Sequence, residues 1–422
     1  MSQATTLTPP SQAAETAEGA PPASVPAQSS KKDVQRLVSL DAYRGFTMLL
    51  MASEGLHIPK VAKSFADSNL WQALAYQTDH VAWAGCALWD LIQPSFMFMV
   101  GVSMPYSLAS RRAKGDSFAA LFSHAIVRSL ILIGIAIFLS SIGKKQTNFI
   151  FTNVLAQIGL GYPFLFLVAW LRPRWQFATA MGILIAYWAA FALYPLPGPD
   201  FDYAKVGVPK DWKYHFEGFA AHWNKNSNFA SAFDQWFLNL FPCEAPFVFN
   251  RGGYATLNFI PALGTMIFGL LSGELLRSDR EPLKKFTTLM LAGVAGLIVG
   301  FVLDVTGICP SVKRIWTPSW TIFSTGWTCL FLGAFYFIID IKGWQRWAFA
   351  GVVVGMNSIA MYCLAQWPFR SFVGESLRIH LRKSTFELAG VAYAPIFEAA
   401  AVLFVLWAIC WWMYRRKIFL RI

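Results

Sequence analysis

Charge is what this 422-residue chain has least of: Asp, Glu, Lys and Arg make up 14% of it, against 56% hydrophobic and 16% aromatic residues. A water-soluble domain of this length carries about a quarter charged residues, so a soluble globular fold is excluded, and the mean hydropathy of +0.45 agrees. The little charge present leans basic, with a formal net charge of +12. Its Lys and Arg are scattered over the ends of apolar runs instead of massed on one face, which argues against nucleic-acid binding. The six cysteines show no C-x-x-C spacing, and none of the six histidines pairs with a Glu or Cys at ligand spacing. Neither a metal centre nor a redox framework is expected. Cys243 and Cys309 both fall in connections expected outside the membrane, so one disulfide between them is compatible with the sequence. No internal repeat is found, which weakens the case for an inverted-repeat transporter.

Apolar sequence is what the chain has in abundance. Crossing a bilayer takes about 20 mostly apolar residues. Runs approaching that length fall near 42–57, 86–109, 121–142, 151–171, 176–196, 256–276, 286–303, 318–340, 346–369 and 387–414. The expected fold class is therefore an all-α integral membrane protein of about ten transmembrane helices in one bundle, with a long external loop over 197–254. Residues 1–35 break the pattern: Ala, Pro, Ser, Thr and Gln dominate, no apolar signal core is present, and Lys31 and Lys32 close the stretch. They read as a disordered cytosolic tail, and 36–422 as the membrane domain. With that tail inside, the cytoplasmic connections collect Arg111, Arg112, Lys114, Arg172, Arg174, Arg277, Lys284, Lys285, Arg415 and Arg416. They outweigh the basic residues of the short outside loops, Lys60, Lys63, Lys144, Lys145, Lys313 and Arg314 among them. The positive-inside rule then sets both termini in the cytoplasm and His80 on the far side.

Ionisable groups within apolar runs are functional candidates by default, since each needs a partner or a wet cavity. Here they are Asp41, Arg44, Glu54, Asp90, Arg128, Asp304 and Glu398. In "RLVSLDAYRG", Ser39 is placed to cap the first helix, Asp41 sits in its first turn and Arg44 lies three residues on. The bland reading of Asp41 and Arg44 is an ion pair at a helix end. The functional one is a phosphate site facing the cytosol, built from the helix N-terminus and Arg44, to which His124 and Arg128, four residues apart, add. The stretch "TDHVAWAGCALWDLIQPSFMFMVG" puts His80 just outside an apolar run and Asp90 just inside it. A histidine near neutrality can take a proton from an amine or hydroxyl and hand it on, and a carboxylate can fix its tautomer. The bland alternative is a solvated or packing histidine.

The long loop mixes Trp212, Trp223, Trp236, Tyr203 and Tyr214 with Asn224, Asn226 and Asn228. Flat aromatic faces beside amides suit a sugar, whose rings offer C–H faces and hydroxyl edges. Interfacial anchoring explains the same aromatics.

His80, Trp83, Gly85, Asp90, Leu91, Pro94, Phe96, Phe98 and Gly101, together with "SLDAYRG" at 39–45, form a pattern that resembles the family of heparan-α-glucosaminide N-acetyltransferase and its bacterial membrane relatives. The resemblance runs on through "NVLAQIGLGY" (153–162), "LNFIPALGTMIFGLLSG" (257–273), "WTPSWTIFSTGW" (316–327), "GMNSIAMY" (355–362) and "YRRKIFLRI" (414–422), and so covers residues 36 to 422. "HWNKNSN" and "FDQWFLNLFP" in the long loop resemble the bacterial branch, which implies a multi-pass protein of the bacterial inner membrane. The resemblance implies transmembrane acetylation: acetyl-CoA is used as co-substrate from the cytosolic side, and the acetyl group reaches an amino sugar of glucosamine type beyond the bilayer. The family's active-site histidine falls on His80. Asp90 is its expected partner, and Asp41, Arg44, His124 and Arg128 are the expected holders of the coenzyme. Glu54, Trp83, Asn224, Asn258 and Asn357 are the expected acceptor-side residues, with Asn258 a candidate oxyanion donor and Asn357, Asp304 and Glu398 candidates to line a tunnel. One departure is "MASEGLHIP", where Glu54 stands in a region in which the family often has an asparagine. Direct transfer and transfer through an acetyl-histidine are both compatible with these residues, a homodimer would be unsurprising, and no metal is implied. The competing class is a multi-pass transporter for a small sugar or anionic solute, with His80 as a proton relay.

Overall fold

Helix α1, Val38–Ser53, sets the frame. It begins one residue before Ser39, so Ser39 is not its cap but a buried residue of the first turn, and no side chain caps the start. The helix ends where Glu54, Gly55, Leu56 and His57 all take left-handed backbone angles. Three of those four carry a side chain that disfavours this conformation, so the turn has to be held from outside. Arg370 holds it: its guanidinium donates to the Ala52 carbonyl and pairs with Glu54 at 3.0 Å.

The computed structural model describes residues 37–420. The expected tail over 1–35 lies outside the described residues. The described residues are mostly helical, with one antiparallel bridge between Ala84 and Val312 as the only extended pairing among them. Beyond α1 the elements that frame the site and the membrane runs are α2 Ile92–Arg112, α3 Phe118–Ser141, α4 Val154–Val168, α5 Pro173–Ala192, α6 Phe229–Phe237, α7 Phe259–Arg277, α8 Pro282–Val305, α9 Pro318–Phe335, α10 Phe349–Gly355, α11 Ser358–Ala365 and α12 Ala394–Arg415. Every apolar run in the sequence carries one of these helices or a broken pair of them. Six stretches are long and apolar enough to cross a bilayer: Phe118–Ser141, Pro173–Ala192, Thr256–Arg277, Pro282–Val305, Pro318–Ile341 and Val391–Arg415. A seventh is counted if Arg346–Gly355 and Ser358–Ala365, bent by 73° at their junction, act as one span.

Burial separates the middle of the bundle from its rim. In Thr256–Arg277, 67% of the apolar window is buried, against 17% in Pro282–Val305. The rim helices turn Val127, Leu130, Phe138, Ile185, Leu291, Ile298 and Phe301 outward, as expected of residues that face lipid. In the middle, α2 and α7 approach so closely that a Cβ on Gly101 would lie 1.8 Å from the Met266 carbonyl oxygen, and one on Gly269 would lie 2.1 Å from that of Phe98. Only glycine permits that approach. It fixes α2, which carries Asp90 at its head and Phe96 in its second turn, against the most buried helix of the bundle.

The segment 197–254, expected as an external loop, folds into short helical turns and α6. Asn224 accepts from the Phe216 amide and donates to the Phe216 carbonyl, Asn226 donates to the Val206 and Asn250 carbonyls, and Asn228 caps α6 through the Ser231 amide. All three are buried. Trp223 is fully buried and stacks against Phe191 of α5, whereas Trp236 is exposed. Cys243 and Cys309 are both free thiols.

Candidate active site

Two cavities lie one above the other along α1 and α2. The larger, about 440 Å³, takes Asp41, Arg44 and Met48 from α1 and Met99, Ser103, Ser107 and Arg111 from α2. The smaller, about 280 Å³, takes Met51 from α1, and Ile92 and Gln93 from α2. Following α1 forward leads from the larger cavity to the smaller, and following α2 forward leads back. The two helices are therefore antiparallel walls of one two-chambered channel. Gln93 and Arg111 are about 27 Å apart along α2 at ~1.5 Å per residue, close to the ~30 Å hydrocarbon thickness of a bilayer.

The larger cavity gathers all four residues expected to hold an anion. Asp41 and Arg44 form the anticipated pair at 3.8 Å, and Arg44 also donates to the Ser103 hydroxyl. Arg128 donates to the Tyr162 hydroxyl at 3.3 Å and lies over that ring, while its buried Nε has no hydrogen-bond partner. His124 accepts from Arg111 at 2.7 Å, which requires the lone pair of a neutral imidazole on Nε2. Arg111 is a fifth member that the sequence reading used only for topology. The first residues of α11, Ser358 and Ile359, line the same space, and helix N-termini carry unpaired N–H groups and partial positive charge. Three guanidiniums around one cavity suit a polyanionic ligand such as a nucleotide phosphate.

At the opposite end, His80 and Asp90 meet. The His80 Nδ1 to Asp90 Oδ1 distance is 2.8 Å. Asp90 is 1% exposed and its Oδ2 accepts from the Val81 and Ala87 amides, so one carboxylate ties the His80 loop to the head of α2. The sequence reading missed the third member. Lys313 places its ammonium 3.0 Å from His80 Nδ1 and 3.1 Å from Asp90 Oδ1. Burial pushes the Lys313 amine below its usual range, and the Asp90 charge works against that shift. Lys313 arrives because its loop braces the His80 loop. Gly85 donates to the Ser311 carbonyl beside the Ala84–Val312 bridge, and Arg314 donates to the carbonyls of Val81 and Gly252. The only local signal was a basic residue immediately before the apolar "WTPSW" stretch, the mirror of His80 before its own run.

His80 is 37% exposed at its side chain and lines the smaller cavity together with Trp89, Gln93, Thr152, Asn153, Tyr254 and Lys313. With Nδ1 engaged, Nε2 is the ring nitrogen without a partner among the described residues. The expected acceptor-side residues do not converge here, and each has a structural use. Trp83 is fully buried and its indole donates to the Trp223 carbonyl. Asn224 is spent on Phe216, as above. Asn258 is buried and donates to the Arg314 carbonyl, which steadies the Lys313 loop, and it is not among the residues lining the smaller cavity. Asn357 bridges the break between α10 and α11 to the carbonyl of Ile418 and the amide of Leu420. Glu54 pairs with His57 at 3.1 Å and with Arg370. Asp304 accepts from the Ser311 amide, and Glu398 pairs with Arg378 at 2.5 Å; neither lines either of these two cavities. Among the described residues no group of three or more His, Cys, Asp or Glu converges as a metal site would need.

Comparison with known proteins gives a consistent picture. Residues 36–208 match the family described as heparan-alpha-glucosaminide N-acetyltransferase, catalytic. The chain is 23% identical to the heparan-alpha-glucosaminide N-acetyltransferase of Homo sapiens over 443 aligned residues, which cover 92% of this chain and 60% of that protein. It is 23% identical to the enzyme of the same name from Mus musculus over 379 residues, covering 79% of this chain and 54% of the relative. The chain thus spans somewhat over half the length of these relatives. Both comparisons support the family to which the motifs point.

Proposed function

From this family likeness we propose that the protein is a transmembrane N-acetyltransferase. It uses acetyl-CoA from the larger cavity and acetylates the amine of a glucosamine-type sugar in the smaller one. The observation that carries the reading is the stacking of a basic cavity and a histidine cavity along the same two helices, with a shared wall between them. Arg44, Arg111 and Arg128 neutralise the phosphates of the coenzyme, which is too large and too charged to cross. Trp89 and Tyr254 offer flat faces to the sugar, and Gln93 and Asn153 offer amide groups to its hydroxyls.

In this mechanism His80 donates Nδ1–H to Asp90, which leaves Nε2 as the base. As the amine nitrogen bonds to the thioester carbonyl carbon and the C–S bond breaks, Nε2 takes the amine proton and returns it to the departing thiolate. Lys313 balances the buried Asp90 charge, which alone would be costly. All ten apolar runs are read as crossing or entering the membrane of a bacterial cell, with both termini on the cytoplasmic side. Arg111, which lines the larger cavity, and Arg112, Lys114, Arg172 and Arg174 at the connections after α2 and α4 support that orientation.

The test is free-thiol release from acetyl-CoA by purified protein in detergent, with and without glucosamine. Release should depend on the sugar and fall by about 10² to 10⁴ in His80→Ala, the usual contribution of a positioned general base, while acetyl-CoA still binds. Absence of release with a panel of amino sugars, combined with uptake of sugar or anion into vesicles, would replace the enzyme with the transporter.

A further inference from the structure

Three side chains line both cavities: Phe96 of α2, Val154 at the start of α4 and Tyr362 of α11. Phe96 and Tyr362 are 7% and 6% exposed and Val154 is half-buried, so packed side chains stand between the two cavities. This wall is thin. On α2 the last residue lining only the smaller cavity is Gln93 and the first lining only the larger is Met99, six residues or about 9 Å of helix. Each of the three comes from a different stretch of the chain, "QPSFMF", "NVLAQ" and "SIAMY", and they meet at the edge of the hydrophobic core.

We propose that Phe96, Val154 and Tyr362 form an acyl-length filter that admits an acetyl group and rejects longer acyl chains. The proposal rests on the acetyltransferase reading and adds to it the residues that set donor specificity. For transfer, the thioester carbonyl must come to within about 3–3.5 Å of the amine while coenzyme and sugar stay in separate chambers. The carbonyl therefore sits in the wall. The two-carbon chain of an acetyl group beyond sulfur fits a wall one to two helical turns thick. Each further methylene has to displace Phe96, Val154 or Tyr362, and close-packed interiors resist added volume. The basic cavity, in contrast, contacts only the coenzyme, which acetyl- and butyryl-CoA share. Discrimination should therefore lie in turnover and not in binding.

The experiment is competition between acetyl-CoA and butyryl-CoA, scored as the ratio of kcat/KM with glucosamine as acceptor, alongside the Kd of each donor. One methylene in a tight pocket is worth about 10- to 200-fold. The parent should accordingly prefer acetyl-CoA by about 10² or more while binding both donors within a few-fold. Val154→Ala and Phe96→Leu should each cut that preference by about 10-fold or more, and Val154→Ile should raise it while slowing acetyl transfer. Unchanged preference in all three variants, with acetyl turnover intact, overturns the filter and leaves the enzyme standing. A preference already present in the Kd values overturns it as well, by moving selection into the basic cavity. A parent that turns over neither donor removes the acetyltransferase reading, and the filter with it.

Discussion

The larger cavity draws Arg44, Arg111, His124 and Arg128 from the regular turns of α1, α2 and α3, whereas the smaller one draws His80, Tyr254 and Lys313 from the connections between helices. On the proposed function the difference follows from what each end would have to do. Holding a large anion needs charge spread over a wide wall, and helix faces present side chains at fixed intervals along such a wall. Moving one proton needs three atoms within hydrogen-bond distance of one another, and loops can bring remote segments to a point where parallel helix axes cannot. The loop-built end is the one braced by buried polar groups: Asp90 on two amides, Arg314 on two carbonyls, Asn258 on the Arg314 carbonyl.

The contrast is open to direct attack. The largest effect on stability is expected at Lys313→Met, which leaves Asp90 buried without its cation. Breaking such a pair costs about 3–5 kcal/mol, read as a lowered unfolding temperature, and pairing the change with Asp90→Asn should recover part of the loss. Equal losses in the single and double variants would show that the ammonium does not serve the carboxylate.

Asp234 gives a pH-dependent effect at the same end. Its carboxylate accepts from the Thr256 amide through both oxygens, and burial pushes its pKa up to about 6. A carboxyl whose pKa is higher in the folded protein than the unfolded value of 3.8 stabilises the fold when protonated, and that contribution is lost as pH rises from about 4 through 6. Asp234→Asn should therefore match the parent near pH 4 and exceed it above pH 7, by at most about 3 kcal/mol. The check is a pair of thermal unfolding curves at those two pH values. A difference that grows instead toward low pH would contradict the burial argument.

At the basic end the expected change is one of affinity with the fold intact. Arg128→Ala should weaken CoA binding by about 10- to 100-fold, the worth of a charge-assisted hydrogen bond, and should leave the KM for glucosamine alone. Smallest is Trp89→Ala in the other chamber, where loss of one aromatic face should raise the KM for glucosamine by about 3- to 10-fold and leave the Kd of CoA unchanged. If either variant moved the other chamber's constant, the two cavities would not be separate binding sites.

The sequence disclosed these two ends unequally, for the same physical reason. Asp41, Arg44, His124 and Arg128 were legible because three- and four-residue spacings on a helix translate directly into neighbours. His80 and Asp90 were legible as charges at the edge of an apolar run. Lys313 was not, because it reaches the pair from more than 200 residues away through a bridge between Ala84 and Val312 that no periodicity announces. The asparagines and Trp83 have uses in the fold that the sequence did not announce. Polar and aromatic residues in a membrane protein invite a ligand, yet Asn224, Asn258 and Asn357 satisfy backbone groups in irregular segments, where buried carbonyls and amides must find partners. The helix runs themselves were plain from hydropathy, while the left-handed turn over Glu54 to His57 and the 73° break before Ser358 were not, since the first is held by the distant Arg370 and the second is tied through Asn357 to the backbone of Ile418 and Leu420.

The central claim is that one reaction is shared between two faces of a membrane. It is tested by sealing the protein in vesicles with glucosamine inside and acetyl-CoA outside. The account predicts N-acetylglucosamine inside and free CoA outside, in equal amounts, for the molecules oriented with their basic cavity outward. Product found only on the acetyl-CoA side, or glucosamine moved across unmodified, would contradict it.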